Sequence, residues 1–436
     1  MNPPVIGIIG LAVLFIIMAM GVPIGFAMAL VGFGGFAILG GFDSSLKVVG
    51  MVPYTTIASY IFSVLPLFLL MGEFSSSSGI MRDAYRAMHT WLGHLPGGLA
   101  MASIGGCAGF AAVCGSSVAT AATSTRIMLP EMLKYKYDPG LATGCLAAGG
   151  TLGILIPPSL GFIIYGLIAE QSVGRLFMAG IFPGILLSFL FMLTIYILAK
   201  RNPSIAPGGT TTGWRQKLTA VQGIWGLLVV FFLVMGGIWG GLFTPTEAAA
   251  VGALCSFLIT LGRRKLTRQN LIASFTGSIR TSGMCFGILI GAMIFGYFMA
   301  VSRLPTVLAD FVTILPVPPL GILIAILIVF LILGCLMDSL AIILITMPIF
   351  IPIVSNLGFD LIWFGVMVTL MSELGLITPP IGMNVFVISG MVRDIPMYTI
   401  FRGILPFVVA MVVCVAILIA FPQIALFLPN TMMAMK

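Results

Sequence analysis

Leu152-Gly153-Ile154-Leu155-Ile156-Pro157-Pro158 returns in the second half of the chain as Leu374-Gly375-Leu376-Ile377-Thr378-Pro379-Pro380. Each copy sits inside a stretch apolar enough to cross a bilayer. Proline removes a backbone donor and clashes with the preceding turn, and glycine adds backbone freedom, so both stretches read as helices broken at equivalent places. Such a break leaves carbonyls and amides unpaired at membrane depth, where they survive only if they line a cavity or hold a ligand. Paired interruptions at matching positions of two halves point to the binding site of a secondary transporter.

Composition sets the surroundings. Of the 436 residues 60% are hydrophobic and 7% charged, and the mean hydropathy is +1.21; a soluble domain has about 25% charged residues. The chain reads as an all-α polytopic membrane protein in a lipid bilayer. Residues 5–20 lack a basic leader and run through Gly21-Val22-Pro23 into a second apolar stretch, so they read as membrane helix and not as a cleaved signal. The net charge of +8 comes from clusters near helix ends: Arg82 and Arg86, Lys134 and Lys136, Lys200 to Lys217, and Arg263 to Arg268. That placement marks cytoplasmic loops and not a nucleic-acid surface, which would interleave aromatics with the cations. The seven cysteines lie in apolar segments without metal-ligand spacing, and the two histidines, His89 and His94, offer no hydrolytic or zinc motif. No enzyme activity and no organic cofactor are expected.

The repeat extends beyond the double prolines. The shift that superposes them also carries Ser117 onto Ser339, Ala119 onto Ala341, Ile127 onto Ile349, Pro130 onto Pro352 and Asp138 onto Asp360. Around each copy the order is an amphipathic arm (78–95; 303–317), a short apolar run, a polar tip and a second short run. The tips are Cys114-Gly115-Ser116-Ser117 and Cys335-Leu336-Met337-Asp338-Ser339. Each run falls short of the roughly 20 residues that a crossing needs, and suits a re-entrant hairpin ending near the midplane. A broken helix follows each hairpin, at 141–170 and 361–390.

Charge orients these units. With the 200–217 loop in the cytoplasm, the crossings at 141–170 and 175–199 make the first hairpin enter from the cytoplasm. Spans 221–241, 247–262 and 271–300 then make the second hairpin enter from the outside. Two inverted-topology repeats result, with both termini on the outer side.

The tips and breaks carry the expected chemistry. A desolvated sodium ion wants several oxygen ligands, and short polar side chains beside freed carbonyls and half-helix ends supply them. The candidates are Gly115, Ser116, Ser117 and Thr151 in the first half, and Asp338, Ser339, Glu373 and Thr378 in the second. Each Ser or Thr has the alternative of bonding its own or a neighbouring helix; a carboxylate at membrane depth is a stronger functional sign. Asn384, one turn beyond Pro380, reaches the same cavity or makes an interhelical hydrogen bond. Arg126 reads first as snorkelling to the cytoplasmic interface and second as a partner for an anion.

The succession of arm, GSS-tipped hairpin, TLGILIPPS break, basic central loop, MDS-tipped hairpin and ELGLITPPIGMN break resembles the large membrane subunit of TRAP transporters, the tripartite ATP-independent periplasmic group, over essentially the whole chain. The second tip is Met-Asp-Ser, unlike the Ser-Asn-Thr type of more distant dicarboxylate relatives. The resemblance implies co-transport of Na+ with an organic acid anion such as a C4-dicarboxylate or sialic acid across the bacterial inner membrane by an elevator motion. It places sodium on the first tip with Thr151 and Gly153, and on the second tip with Thr378 and Pro379, with Ser116, Thr151 and Asn384 toward the substrate. It also implies two partners: a small four-helix membrane subunit on a separate chain, and a periplasmic substrate-binding protein. The expected division is 1–95 frame and first arm, 96–175 first transport half, 176–317 frame, loop and second arm, 318–392 second transport half and 393–436 a C-terminal frame helix. A passive channel or exchanger and a membrane-embedded enzyme are the alternatives; no GxxxxGK[ST] phosphate loop supports an ATP-driven pump.

Overall fold

Asp138, Ser159, Ser172, Thr244, Thr267 and Asp360 each stand just before a helix, and each side chain accepts a hydrogen bond from an amide of the first turn. These caps, with Pro at the first helical positions, divide an almost uniformly apolar sequence into segments. The computed structural model describes residues 2–208, 213–314 and 316–432, and among these there is no β-strand.

The first half holds α1 (Pro3–Ala19), α2 (Ile24–Gly40), α3 (Phe42–Ile57), α4 (Val64–Ser78) and the arm α5 (Ile80–Leu92). Then come the hairpin α6 (Gly98–Cys114) and α7 (Ser117–Lys134), the broken pair α8 (Pro139–Leu155) and α9 (Leu160–Ile168), and the long α10 (Val173–Arg201). After α11 (Trp214–Gly223) the second half has α12 (Trp225–Trp239), α13 (Pro245–Gly262), α14 (Arg268–Ser302) and the arm α15 (Leu304–Ile314). Hairpin α16 (Pro319–Gly334) and α17 (Ser339–Asn356), broken pair α18 (Leu361–Gly375) and α19 (Met383–Met391), α20 (Met397–Ala420) and α21 (Gln423–Thr431) complete it. Six helical stretches are long and apolar enough to cross a membrane, and two bent pairs, α8 with α9 at 42° and α11 with α12 at 55°, raise that to eight.

The shift that carries Ser117 onto Ser339 governs the whole order. It brings the first residue of α1 onto that of α12, the first of α7 onto that of α17, and the first of α8 onto that of α18. The starts of α2 and α13, α5 and α15, α6 and α16, α9 and α19, and α10 and α20 follow the same shift almost to the residue, and α14 stands for α3 and α4 together. Identity between the halves is too sparse to show this, because in an apolar sequence many residues serve equally well at one position.

Two groups of helices form, each drawing on both halves. The frame contains α1 to α4 and α12 to α14. Its main seam sets α2 against α14 backbone to backbone: a Cβ on Gly25 would lie 2.6 Å from the Gly287 carbonyl oxygen, and one on Gly32 2.7 Å from the Phe295 amide. Ser75 Oγ donates to Ser256 Oγ at 3.1 Å and Thr260 Oγ1 to the Phe74 carbonyl at 3.0 Å, joining α4 to α13. Close approach through small residues is how helices associate where lipid is as apolar as leucine.

The second group, the body, gathers both hairpins and both broken helices. The sequence reading left α10 and α20 with the frame; their small residues bring them against the body. A Cβ on Gly144 of α8 would lie 2.5 Å from the Gly403 backbone of α20, and one on Gly180 of α10 2.7 Å from the Leu155 carbonyl at the first break. Phe191 of α10 and Phe407 of α20 meet edge to face at 5.6 Å, and Trp363 Nε1 of α18 donates to the Leu418 carbonyl at 3.0 Å. A second C-terminal helix, α21, adds to this group, with Phe427 5.9 Å from Phe182. The expected loop at 200–217 also differs: Trp214 begins α11, which lies along α5, where Trp91 Nε1 donates to the Lys217 carbonyl at 3.2 Å and the Lys217 ammonium sits 5.4 Å from the Trp214 ring. The arms α5 and α15 join frame to body, packing on α6 and α17.

Candidate functional site at the hairpin tips and helix breaks

Gly115 ends α6 at φ +68°, a left-handed conformation that a Cβ disfavours, and so lets the first hairpin turn tightly. Ser116 caps α7, accepting from the Ala119 amide at 3.4 Å. Leu160 N, just past the first break, donates to the Gly115 carbonyl at 3.4 Å. Gly153, one turn before that break, faces the Ser116 carbonyl so closely that no Cβ fits. Tip one is therefore seated on break one. In the second half Asp338 caps α17, accepting from the Leu340 amide at 3.1 Å, and Gly334 and Gly375 meet backbone to backbone, which seats tip two on break two.

The two units meet at Glu373. Ser117 Oγ donates to its Oε2 at 2.6 Å, and Ser339 Oγ donates to its Oε1 at 2.9 Å. The serines are equivalent in the repeat, one on each tip, and the carboxylate lies one turn before the second break. Glu373 is fully buried, and among the described residues no cation pairs with it. Beside it Asn384 of α19 donates from Nδ2 to the Ala147 carbonyl at 3.4 Å, while its Oδ1 is buried without a hydrogen-bond partner. Gly150 leaves room for this side chain: a Cβ there would lie 3.2 Å from both Asn384 Nδ2 and the Ser117 carbonyl.

The remaining expected residues make local contacts of their own. Thr151 Oγ1 bonds back to the Ala148 carbonyl and Thr378 Oγ1 to the Leu374 carbonyl, both at 2.6 Å. Pro379 is exposed, and Asp338 is occupied at a helix end. Arg126 lines a cavity of about 770 Å³ together with Arg82, Arg86, Arg263 and Lys265, where Asp83 pairs with Arg263 at 2.5 Å. This basic cavity lies between frame and body and shares Ser76 and Thr123 with a smaller one of about 120 Å³ that ends at Ser116. A third cavity, about 600 Å³ and mostly apolar, is lined by Leu344 and Pro348, the repeat equivalents of Ala122 and Arg126 in the basic one.

Residues 11–424 match the family model of the tripartite ATP-independent periplasmic transporter, DctM component. The chain belongs to the DctM family. It is accordingly a multi-pass membrane permease and not an enzyme. The C4-dicarboxylate TRAP transporter large permease protein DctM of Pseudomonas aeruginosa is 37% identical over 91% of this chain and 92% of its own length. The sialic acid large permease SiaM of Vibrio cholerae is 32% identical over 94% and 95%; the 2,3-diketo-L-gulonate permease YiaN of Escherichia coli is 32% identical over 93% and 95%. The YdaH transporter of Alcanivorax borkumensis has the same fold, with a TM-score of 0.68 over 92% of this chain and 98% of its own at 15% identity.

In this DctM-family chain the sequence reading missed two polar groups. Ser372 Oγ, next to Glu373, is buried without a partner, and only its neighbour's charge marks it. Glu73 is the one acidic residue of the apolar run 60–78, which by itself was a detectable signal, and it lines the small cavity at Ser116.

Proposed function

We propose that the chain is the permease of a sodium-driven uptake system for organic carboxylates in the bacterial inner membrane, working with a small four-helix membrane subunit and a periplasmic substrate-binding protein. The observation that carries this reading is the convergence of Ser117 and Ser339 on Glu373 beside both breaks. A carboxylate buried at membrane depth without a basic partner is expensive, and a bound sodium ion offsets its charge. Glu373, the unpartnered Asn384 Oδ1 and Ser372 Oγ, and carbonyls freed at the breaks are hard oxygen ligands suited to that ion. Sodium then fixes both tips on one carboxylate and shapes the seat for the carboxylate cargo, which ties the two solutes together.

Close packing supports a body of 96–201 and 318–432 that travels as one piece against a frame of 2–95 and 213–317, the two halves being inverted repeats. The arms α5 and α15 carry the motion. Lys and Arg near helix ends mark the cytoplasmic side, so the basic cavity is the exit route, and this pose has tip one open toward the cytoplasm. The relatives' names place C4-dicarboxylates, sialic acid and diketogulonate on the panel to be tested. Reconstitution with both partners in liposomes is the experiment: uptake of one panel member should require an inward sodium gradient and the binding protein. Uptake indifferent to that gradient for every carboxylate tried overturns the reading.

A further inference from the structure

The Glu73 carboxylate belongs to the frame yet faces the moving tip. Gly72, its neighbour on α4, touches tip one directly: a Cβ there would lie 3.1 Å from the Cys114 carbonyl oxygen. Glu73 itself lies against α14, where a Cβ on Gly277 would fall 2.7 Å from its Oε1. Its carboxylate lines the 120 Å³ cavity with Ser76, Thr281, Thr123 and Ser116. Among the described residues no cation pairs with it. Ser76 and Thr123 stand in the walls of both this space and the neighbouring 770 Å³ cavity, whose walls carry Arg82, Arg86, Arg126, Arg263 and Lys265 against Asp83. One negative charge therefore stands at the inner end of the route and a surplus of positive charge at the outer end.

We propose that Glu73 is an expulsion residue, which repels the carboxylate cargo from tip one toward the cationic cavity once the tip reaches the cytoplasmic side. This rests on the reading of the chain as a carboxylate permease. A charge fixed on the frame acts on the cargo only when the body brings tip one beside α4, so it weakens anion binding in that pose alone. Low-dielectric walls focus such a field along the cavity. Uptake thereby gains direction without any change at the sodium ligands.

The test uses liposomes holding the permease with its small subunit, with binding protein outside so that one orientation is read. Internal substrate is varied, and the concentration that halves uptake is recorded. Glu73→Gln should lower it about fivefold or more, since one unit charge at an effective dielectric near 20 is already worth that much at roughly 15 to 20 Å and Glu73 shares its cavity wall with Ser116 of the tip. Glu73→Asp should stay near wild type. Arg82→Gln, at the other end of the gradient, should move it the opposite way, which keeps the proposal open to refutation if the Gln variant fails to assemble. High internal salt should shrink both differences, as a packing defect would not. Equal internal half-inhibition in wild type and Glu73→Gln, shifts of the same sign in the Gln variants, or shifts unaffected by salt overturn the proposal. Failure of wild-type uptake in the same liposomes sinks the transport reading instead.

Discussion

The two proline breaks share residues and spacing but not surroundings. Residues 151–160 of the first are buried throughout, whereas Pro379, Pro380 and Ile381 of the second are exposed and Thr378 is half-buried. The position that carries Thr151 in the first half carries Glu373 in the second, and the cavity position of Arg126 is Pro348 in the other half. A repeated backbone thus gives two equivalent seats for a tip, and single substitutions divide the labour between them. The first half contributes the closed break and Arg82, Arg86 and Arg126 of the basic cavity, to which the second half adds Arg263 and Lys265; the second half contributes the buried carboxylate and the open break. Symmetry of path with asymmetry of side chain is what lets one pose hold Ser117 and Ser339 on the same carboxylate.

That division of labour is most exposed to failure at the 151/373 position. Glu373→Gln should lower sodium-driven uptake about a hundredfold or more, since removing one member of a buried charged network costs about 3 to 5 kcal/mol, while Thr151→Val should stay within about threefold because its hydroxyl serves its own helix. Comparable losses in the two variants would erase the distinction. The prolines come next. Replacing Pro157 and Pro158 by Ala should abolish most uptake and lower the thermal midpoint by about 5 °C, because the change disturbs a packed interior. The same change at Pro379 and Pro380 should lower uptake while the midpoint hardly moves, as thermal denaturation of the two purified proteins would show.

A smaller effect is expected at the tips. Ser117→Ala and Ser339→Ala should each raise the sodium concentration for half-maximal uptake about tenfold, the worth of one hydrogen bond to a charged group. The Ser117 variant should suffer more, its bond being 2.6 Å against 2.9 Å; the reverse order would mean that tip two holds the ion more closely. Smallest of all, Arg126→Gln should raise the internal substrate concentration for half-inhibition about twofold, since an exposed charge is screened. Pro348→Ala in the matching cavity should leave that concentration unchanged, and a shift there would assign the apolar cavity a part in cargo release.

The tips and breaks were legible because Pro, Gly and helix-capping residues dictate backbone shape locally, whatever surrounds them. Ser116 and Asp338 sit before helices as such residues do, and Glu373 stood out as an acid in an apolar run. What Glu373 touches was not legible, since Ser117 lies 256 residues away in the chain. The allegiance of α10 and α20 was hidden for a related reason. In a membrane helix the face toward lipid and the face toward protein are equally apolar, so glycines at 144, 180 and 403 reveal a close approach only once their partners are known. Residues 214–217 read as loop because Arg215 and Lys217 mark a cytoplasmic connection, and the Trp91 that packs on the helix they begin lies on a distant arm. Glu73 had a visible signal, an acid in the apolar run 60–78, yet its role depends on a cavity closed by another part of the fold.

The Gly144 and Gly403 contact also bears on how the chain is made. The surface of α8 that receives α20 is inserted while its partner is still about 260 residues from synthesis, a wait of tens of seconds at ordinary ribosome speeds. Throughout that interval the N-terminal half sits in the bilayer as an unfinished subunit with Ser117 lacking its acceptor. Biogenesis of this permease therefore resembles the pairing of two separate polypeptides more than the folding of one. An insertase or chaperone that shields small-residue grooves within the lipid phase would act on the early half, and chains truncated before residue 403 should be the ones that quality-control proteases remove.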